Sequence, residues 1–306
     1  MGYFLALDAG GTKTTALLAD ENTVLARASA ETIKLLRTTE QEAESRLTAL
    51  LQELSAKAGA PLTKIDGTCM GTAGFSVDKV REWSYATLRK LVGGTVSVCG
   101  DEEIALDAVF PGAPGILVIA GTGSNIMGRC SNGTLHRAGG WGPVLGDEGS
   151  GYWIGLEAIR SALRAQDRGV PSCLLAEILR YWNLPALQDL VMLAHRQPAP
   201  DFASLARIVA ECAERGDALA LGLLKRAGEE LADAVSVVHS KMQASGCEDP
   251  EILGVACTGS VITHSMPVRR AMAEQLQHTI PIAKVLEAPV DPLDGALWRA
   301  RRLPRG

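Results

Sequence analysis

Apolar residues open the chain in short, nearly continuous blocks: Tyr3 to Ala9, then Thr14 to Ala19, then a weaker segment from Thr23 to Ser29. Blocks of this length, separated by glycine, asparagine and acidic residues, predict a three-stranded meander. The period then changes. From Thr39 to Ala58 the apolar positions Ala43, Leu47, Leu50, Leu51 and Leu54 recur at spacings of three and four, which predicts an amphipathic helix, and Gly59-Ala60-Pro61 stops it. A strand over Ile65–Ala73, a helix over Val77–Leu91, a strand over Thr95–Cys99 and a helix over Ile104–Phe110 complete the first block.

Pro111-Gly112-Ala113-Pro114-Gly115 breaks the pattern and reads as a domain boundary. Beyond it the order begins again, with strands over Ile116–Ala120, Asn125–Cys130 and Thr134–Ala138 and a helix over Ser150–Arg168. Helical patterns over Ser172–Tyr181, Pro185–His195, Ala203–Arg215 and Ala218–Ala244 form an insertion. The β/α alternation then resumes with a strand over Glu251–Cys257, a helix over Thr263–His278, a strand over Ile282–Leu286 and a helix over Pro292–Arg302. The chain therefore reads as α/β, with one block of strands and helices present in two copies.

Composition narrows the classes without choosing among them. The 306 residues suffice for two domains with separate cores, and 47% hydrophobic with 21% charged residues is ordinary for a globular protein. A net charge of −5 argues against nucleic acid as a partner, because phosphate binding calls for a clustered basic surface. The basic tail Arg299-Ala300-Arg301-Arg302 is short and reads as a solvated helix end. Seven scattered cysteines without a CxxC pair predict reduced, buried thiols and a cytoplasmic protein with no zinc or iron–sulfur spacing. No signal peptide is expected, and no apolar stretch is long enough to span a membrane.

The chemistry collects in turns. Asp8-Ala9-Gly10-Gly11-Thr12-Lys13-Thr14 joins the first two strands; it can offer backbone N–H groups and hydroxyls to an anion and an acid to a divalent metal through water, or it is a plain Gly-Gly hairpin turn. Gly121-Thr122-Gly123-Ser124 occupies the matching place in the second block. Asp101 follows the last strand of the first block, at the strand ends where α/β sheets bind ligands, and serves there as a helix N-cap, a catalytic carboxylate or both. Gly139-Gly140-Trp141-Gly142 and Gly146-Asp147-Glu148-Gly149 precede the Ser150 helix; the indole either stacks on a ligand or fills core.

Taken together, DAGGTKT, GTGSN, GGWGPVLGDEGSGYWIG and the late CTGS turn resemble the N-acetylglucosamine kinase and BadF/BadG/BcrA/BcrD-type ATPase family, of the superfamily of sugar kinases, heat-shock chaperones and actin. The resemblance spans the whole chain. It implies an actin-like ATPase fold: two duplicated ribonuclease H-like domains facing an interdomain cleft, one over 1–112 with a terminal helix at 291–306 packing back on it, the other over 113–290 with a helical insertion at 172–245. It implies an ATP-dependent amino-sugar kinase using Mg²⁺, cytoplasmic and with a homodimer among the assemblies it allows, with a partner-activating ATPase or a non-catalytic sensor as alternatives. Activator ATPases of this type carry interface cysteines for an iron–sulfur cluster, which the corresponding glycine-rich region lacks. Carried over residue by residue, Asp8, Gly10, Gly11, Thr12 and Lys13 with Gly121, Thr122 and Gly123 are phosphate-binding, and Gly259 and Ser260 lie at the adenosine end. Asp101 is the catalytic base, and Asp8 and Asp101 hold the metal, through water. Asn125, Gly140, Trp141, Asp147 and Glu148 bind the sugar, while Gly295 and Ala296 sit in the closing helix. One departure stands out: family members acting on N-acetylglucosamine usually carry an asparagine after the third strand, where this chain reads Ala30 to Arg37 with Lys34 and Arg37. Those two residues are either solvated or aimed at a carboxylate such as that of a muramic acid.

Overall fold

Strand β1 (Tyr3–Ala9) shows what the apolar blocks build. Side chains of a strand alternate between faces, and here Leu5, Leu7 and Ala9 enter one core while Phe4 and Ala6 enter another. A strand buried on both faces has to be apolar throughout, which is why this block lacks the polar alternation of an open sheet. The computed structural model describes residues 2–35, 37–248 and 250–304. The chain divides into two compact units, Met1–Ala113 with Val290–Gly306, and Pro114–Pro289.

In the first unit β1, β2 (Lys13–Ala19), β3 (Val24–Glu31), β4 (Ile65–Thr72) and β5 (Thr95–Gly100) form one sheet in the order β3-β2-β1-β4-β5. The first three strands are antiparallel neighbours, and β4 and β5 join parallel to β1. Helix α1 (Glu40–Ala58) covers one face through Ala43, Leu47, Leu50, Leu51 and Leu54, each leucine contributing roughly 2 kcal/mol by its burial. A Thr39–Glu42 capping box starts this helix, and Gly59, at φ +64°, ends it. Helix α2 (Asp78–Leu91) adds Leu88 to the same core.

Helices α3 (Asp101–Val109) and α11 (Pro292–Arg302) cover the other face, packing Ile104, Leu293, Ala296, Leu297 and Ala300 against Phe4 and Ala6. Their approach is so close that a Cβ on Gly295 would lie 1.9 Å from the Ile104 carbonyl oxygen. The basic tail is not a solvated helix end. Arg299 bonds Glu103 at 3.2 Å and also reaches the fully buried Asp107, and Arg301 donates to the Asp20 carbonyl at 2.7 Å. A carboxylate in the core needs a charged partner, so the helix that buries its apolar face here also delivers that partner.

The second unit repeats the plan. Strands β6 (Gly115–Ala120), β7 (Ser124–Arg129), β8 (Leu135–Gly139), β9 (Leu253–Thr258) and β10 (Ala283–Val285) lie in the order β10-β9-β6-β7-β8, the same succession of antiparallel and parallel neighbours read from the other edge. Helices α4 (Gly151–Arg168), α5 (Leu174–Tyr181), α6 (Leu187–Ala194), α7 (Leu205–Glu214) and α8 (Ala218–Ala244) share one continuous core with the sheet. The helix expected from Thr263 to His278 is two, α9 (Ser260–His264) and α10 (Met266–Thr279). The break falls at Ser265, in extended backbone, and Pro267 explains it: in a continuous helix it would lack the N–H for the Thr263 carbonyl and its ring would crowd that oxygen, whereas in the first turn of α10 neither matters.

The cysteines also differ from expectation. Cys69, Cys99, Cys212 and Cys257 are free and buried and Cys173 is free and half-buried, but Cys130 and Cys247 form a disulfide across 117 residues. Spacing along the chain carries no trace of a pairing made by two distant segments meeting at one end of a sheet. Among the described residues no helix is long and apolar enough to cross a membrane.

Candidate active site

In the first unit the β1–β2 turn and the start of α3 converge on Gly71. Asp8, next to last in β1, stands opposite Gly71 of β4, and a Cβ on Gly71 would lie 3.2 Å from the Asp101 Cα and 2.3 Å from the Ile104 Cδ1. A glycine there lets α3 dock with Asp101 beside the strand that carries Asp8. Asp101 is not the N-cap: Gly100 is, and Asp101 is the first helical residue, while the Glu103 side chain accepts from the Gly100 N–H at 3.2 Å. Capping therefore makes no use of the Asp101 carboxylate. Burial lifts the Asp8 carboxyl to about 6, with Lys13 opposing and Asp291 reinforcing the shift. Thr12 and Lys13 are exposed, and Gly10 and Gly11 half-buried.

The loop after β3 ties this turn down. Thr32 Oγ1 donates to the Gly10 carbonyl at 2.9 Å, and the Arg37 guanidinium donates to the Gly11 carbonyl at 3.1 Å. Arg37 is thus exposed yet engaged, not simply solvated. Lys34 is held through its N–H on Thr32 Oγ1 at 3.1 Å.

The second turn is built by the same device. The Gly121 carbonyl accepts from the Gly151 N–H at 2.7 Å, Thr122 from Tyr152 at 3.2 Å, and Gly123 from Gly121 at 2.9 Å. In both turns carbonyl oxygens, which would repel a phosphate, are occupied by internal donors. Gly259, at φ +101°, closes the floor: a Cβ would stand 2.5 Å from the Ala120 carbonyl oxygen. Beside Gly121, Thr122 and Ser260 lies a cavity of about 750 Å³, walled by Tyr181, Arg207, Ala210, Glu211, Val261 and His264 among others. That volume suits a nucleoside-sized ligand. Its far wall comes from α5 and α7, inside the helical insertion, whose amphipathic pattern looks the same whether it faces core, partner or ligand.

On the other side of this turn, Asn125 is the second residue of β7. Its Oδ1 is buried and has no hydrogen-bond partner among the described residues, and a Cβ on Gly140 would approach it to 3.1 Å. A buried amide oxygen without a partner is costly, so its presence points to a ligand that supplies the missing donor. Asp147 is buried in the left-handed region at φ +61°. Burial raises its carboxyl above the usual range, the Gly142 N–H at 3.2 Å opposes that shift, and Glu148 adds to it. Ser124 Oγ donates to the Glu148 carbonyl at 2.8 Å, while the Glu148 side chain is exposed. Trp141 is 75% exposed, which removes the reading that it fills core; Val144 and Leu145 beside it are exposed too.

The model of the BadF/BadG/BcrA/BcrD ATPase family matches residues 5–298. An N-acetylmuramic acid/N-acetylglucosamine kinase of Clostridium acetobutylicum is 31% identical over 98% of this chain and 99% of its own. An N-acetyl-D-glucosamine kinase of Dictyostelium discoideum is 28% identical over 96% of each. A solved structure from Chromobacterium violaceum, described as a candidate N-acetylglucosamine kinase, superposes with a TM-score of 0.74 at 26% identity, covering 97% of this chain and 98% of that one. With the repeated sheet order, these likenesses identify the fold as that of the actin-like ATPases, two ribonuclease H-like units in one chain. The chain belongs to the BadF/BadG/BcrA/BcrD ATPase family.

Proposed function

We propose that this protein is an ATP-dependent kinase of amino sugars, with N-acetylglucosamine as its principal acceptor. The observation that carries the reading is the position of the Gly121–Ser124 turn, which borders the nucleoside-sized cavity through Gly121 and Thr122 and leads directly into Asn125, whose buried carbonyl oxygen awaits a donor. A nucleotide in the cavity would lay its phosphates along the turn, and a sugar hydroxyl would complete Asn125. The relatives named above support the same acceptor class.

In this reading each turn is a phosphate-binding element of its own unit, and Asp101 is the base for the attacking hydroxyl. Phosphoryl transfer asks mainly for positioning and charge neutralisation. Asp8 suits a magnesium ion, being an oxygen donor whose buried charge Lys13 offsets only in part. When bound with the nucleotide, magnesium would neutralise phosphate charge; Asp8 and Asp101 would hold it through water. Asp147, Glu148 and Trp141 complete the sugar side with two acceptors and an apolar face. Five thiols are unpaired beside the one disulfide, which fits work in the cytoplasm with Cys130 and Cys247 reduced there.

A second acceptor, N-acetylmuramic acid, is favoured by one feature. Arg37 places a cation on the Gly11 carbonyl, in the loop that lacks the family's usual asparagine, and it can meet a lactyl carboxylate. The test is ADP release measured with N-acetylglucosamine, glucosamine, N-acetylmannosamine, N-acetylmuramic acid and glucose. Turnover is expected with N-acetylglucosamine, and with N-acetylmuramic acid to an extent that Arg37→Ala reduces. Absence of sugar-stimulated ADP release across the set would overturn the kinase reading in favour of a sensor or a partner-activating ATPase.

A further inference from the structure

The Cys130–Cys247 pair has a third soft donor beside it. Cys130 follows β7 and begins a tight turn, its N–H bonded to the Thr134 carbonyl at 2.9 Å and its carbonyl to the Gly133 N–H at 2.9 Å. The chain then returns as β8, where His136 stands opposite Gly128. Cys247 arrives from the end of α8, its N–H bonded to the Met242 carbonyl at 3.1 Å just after Gly246 turns the chain at φ +81°. One ligand atom from each of Cys130, His136 and Cys247 lies within 4.8 Å of the others. Ser245 Oγ sits among them, 2.8 Å from His136 Nε2, 3.8 Å from Cys130 Sγ and 3.6 Å from Cys247 Sγ.

We propose that, in the reduced protein, Cys130, His136 and Cys247 bind a zinc ion, with a water molecule or the Ser245 hydroxyl as fourth ligand, and that the disulfide is the oxidised, metal-free state of this site. Two thiolates and an imidazole are a zinc donor set, and zinc takes four ligands. A disulfide needs no imidazole, whereas here three separate segments bring one to both sulfurs. Zinc-bound sulfurs stand about 3.7 Å apart, from Zn–S bonds of about 2.3 Å at tetrahedral angles. With the Cα atoms 5.7 Å apart, side-chain rotation supplies that opening. The other neighbouring thiols do not compete: Cys69 and Cys99 are buried in the first unit's core, and Cys173 and Cys212 already face the Arg215 guanidinium, a cation that opposes a second one. This is the one such donor cluster among the described residues.

Reduction by a small-molecule thiol consumes two of its molecules, yields their disulfide and leaves Cys130 and Cys247 as thiols; zinc then displaces the two thiol protons. The bound ion ties the β7–β8 turn to the end of α8. Asn125 and Gly139 pair at the opposite end of the same hairpin, so the site braces the strands that carry the proposed sugar groups. The inference does not depend on the kinase reading.

The full-length protein, reduced with a phosphine and desalted without air, is titrated with Zn²⁺ and, separately, with Co²⁺. One equivalent per chain is expected, with thiolate-to-cobalt charge-transfer absorption, and none in the oxidised protein. The Cys130→Ser/Cys247→Ser variant is expected to lose the stoichiometric ion, and His136→Gln to bind it at least tenfold more weakly. Circular dichroism checks both folds, and if the double variant does not fold, the His136→Gln affinity decides. No uptake by the reduced protein, or uptake undiminished by these substitutions, would overturn the proposal.

Discussion

Gly123 and Asp147 are packed so closely that a Cβ on Gly123 would lie 2.6 Å from Asp147 Oδ2. The glycine is therefore required by a carboxylate 24 residues later. Asp147 is itself fixed by burial, a left-handed backbone and the Gly142 N–H. Gly123→Ala must push that carboxylate away and reshape the proposed phosphate turn together with the sugar side. We expect kcat/KM to fall at least tenfold with a modest loss of stability, about 1–3 kcal/mol, as for other forced contacts. Steady-state kinetics beside urea unfolding separates the two; unchanged kinetics would show that the contact does not shape the site.

Asp101 is at the first position of α3 while Glu103 accepts from the Gly100 N–H, so its carboxylate is free for chemistry. Asp101→Asn should leave nucleotide affinity within about threefold and lower kcat by at least a hundredfold, the scale of a lost general base. Calorimetric nucleotide titration and turnover make the comparison, and substantial retained turnover removes the assigned role.

Asp8 links stability to pH with an unusual sign. Its carboxyl ionises near 6 in the fold against an ordinary 3.8, so the folded state holds the proton more tightly. Its contribution is therefore most favourable below the ordinary value and is lost as pH rises through 6. Asp8→Asn removes that penalty and should stabilise the ligand-free protein by on the order of 2 kcal/mol at neutral pH, and by little near pH 4. It should also weaken magnesium-dependent nucleotide binding. Melting temperatures of both proteins across this range test the sign; an offset independent of pH would refute the assignment.

Ala210 lines the cavity on α7. Ala210→Trp should fill the space, raising KM for ATP at least tenfold while changing KM for the sugar less than threefold. A parallel rise in both constants would mean that the cavity does not serve the nucleotide alone.

Much of this architecture was legible in the residue pattern. The three-and-four spacing of Leu47, Leu50, Leu51 and Leu54 identifies the buried stripe of α1, because helix geometry converts spacing directly into a face. The two meanders are legible for the same reason, as local periodicity bounded by glycine turns. The split of the late helix at Ser265 could have been read from Pro267 two residues on. The pairing of Arg299 with Asp107 could not, because sequence alone shows three arginines at a helix end and nothing of the buried acid waiting across 192 residues.

The candidate site divides in the same way. Asp8 and Asp101 stand out as acids at the carboxyl ends of strands beside glycine turns, whereas Asn125 and Asp147 were assigned to the sugar through the family resemblance. The orphaned oxygen of Asn125, the 2.6 Å approach behind Gly123 and the nucleoside-sized cavity walled by Tyr181 and Arg207 are contacts between distant segments. By itself the amino-acid sequence determined the elements and their repeated order, since those follow from local geometry, while the residues proposed to hold phosphate and sugar came from the likeness of its motifs to the family. Tertiary structure alone decided which polar atoms lack partners, which helices wall the cavity and which cysteines meet, because burial and proximity arise only when separate segments share one core.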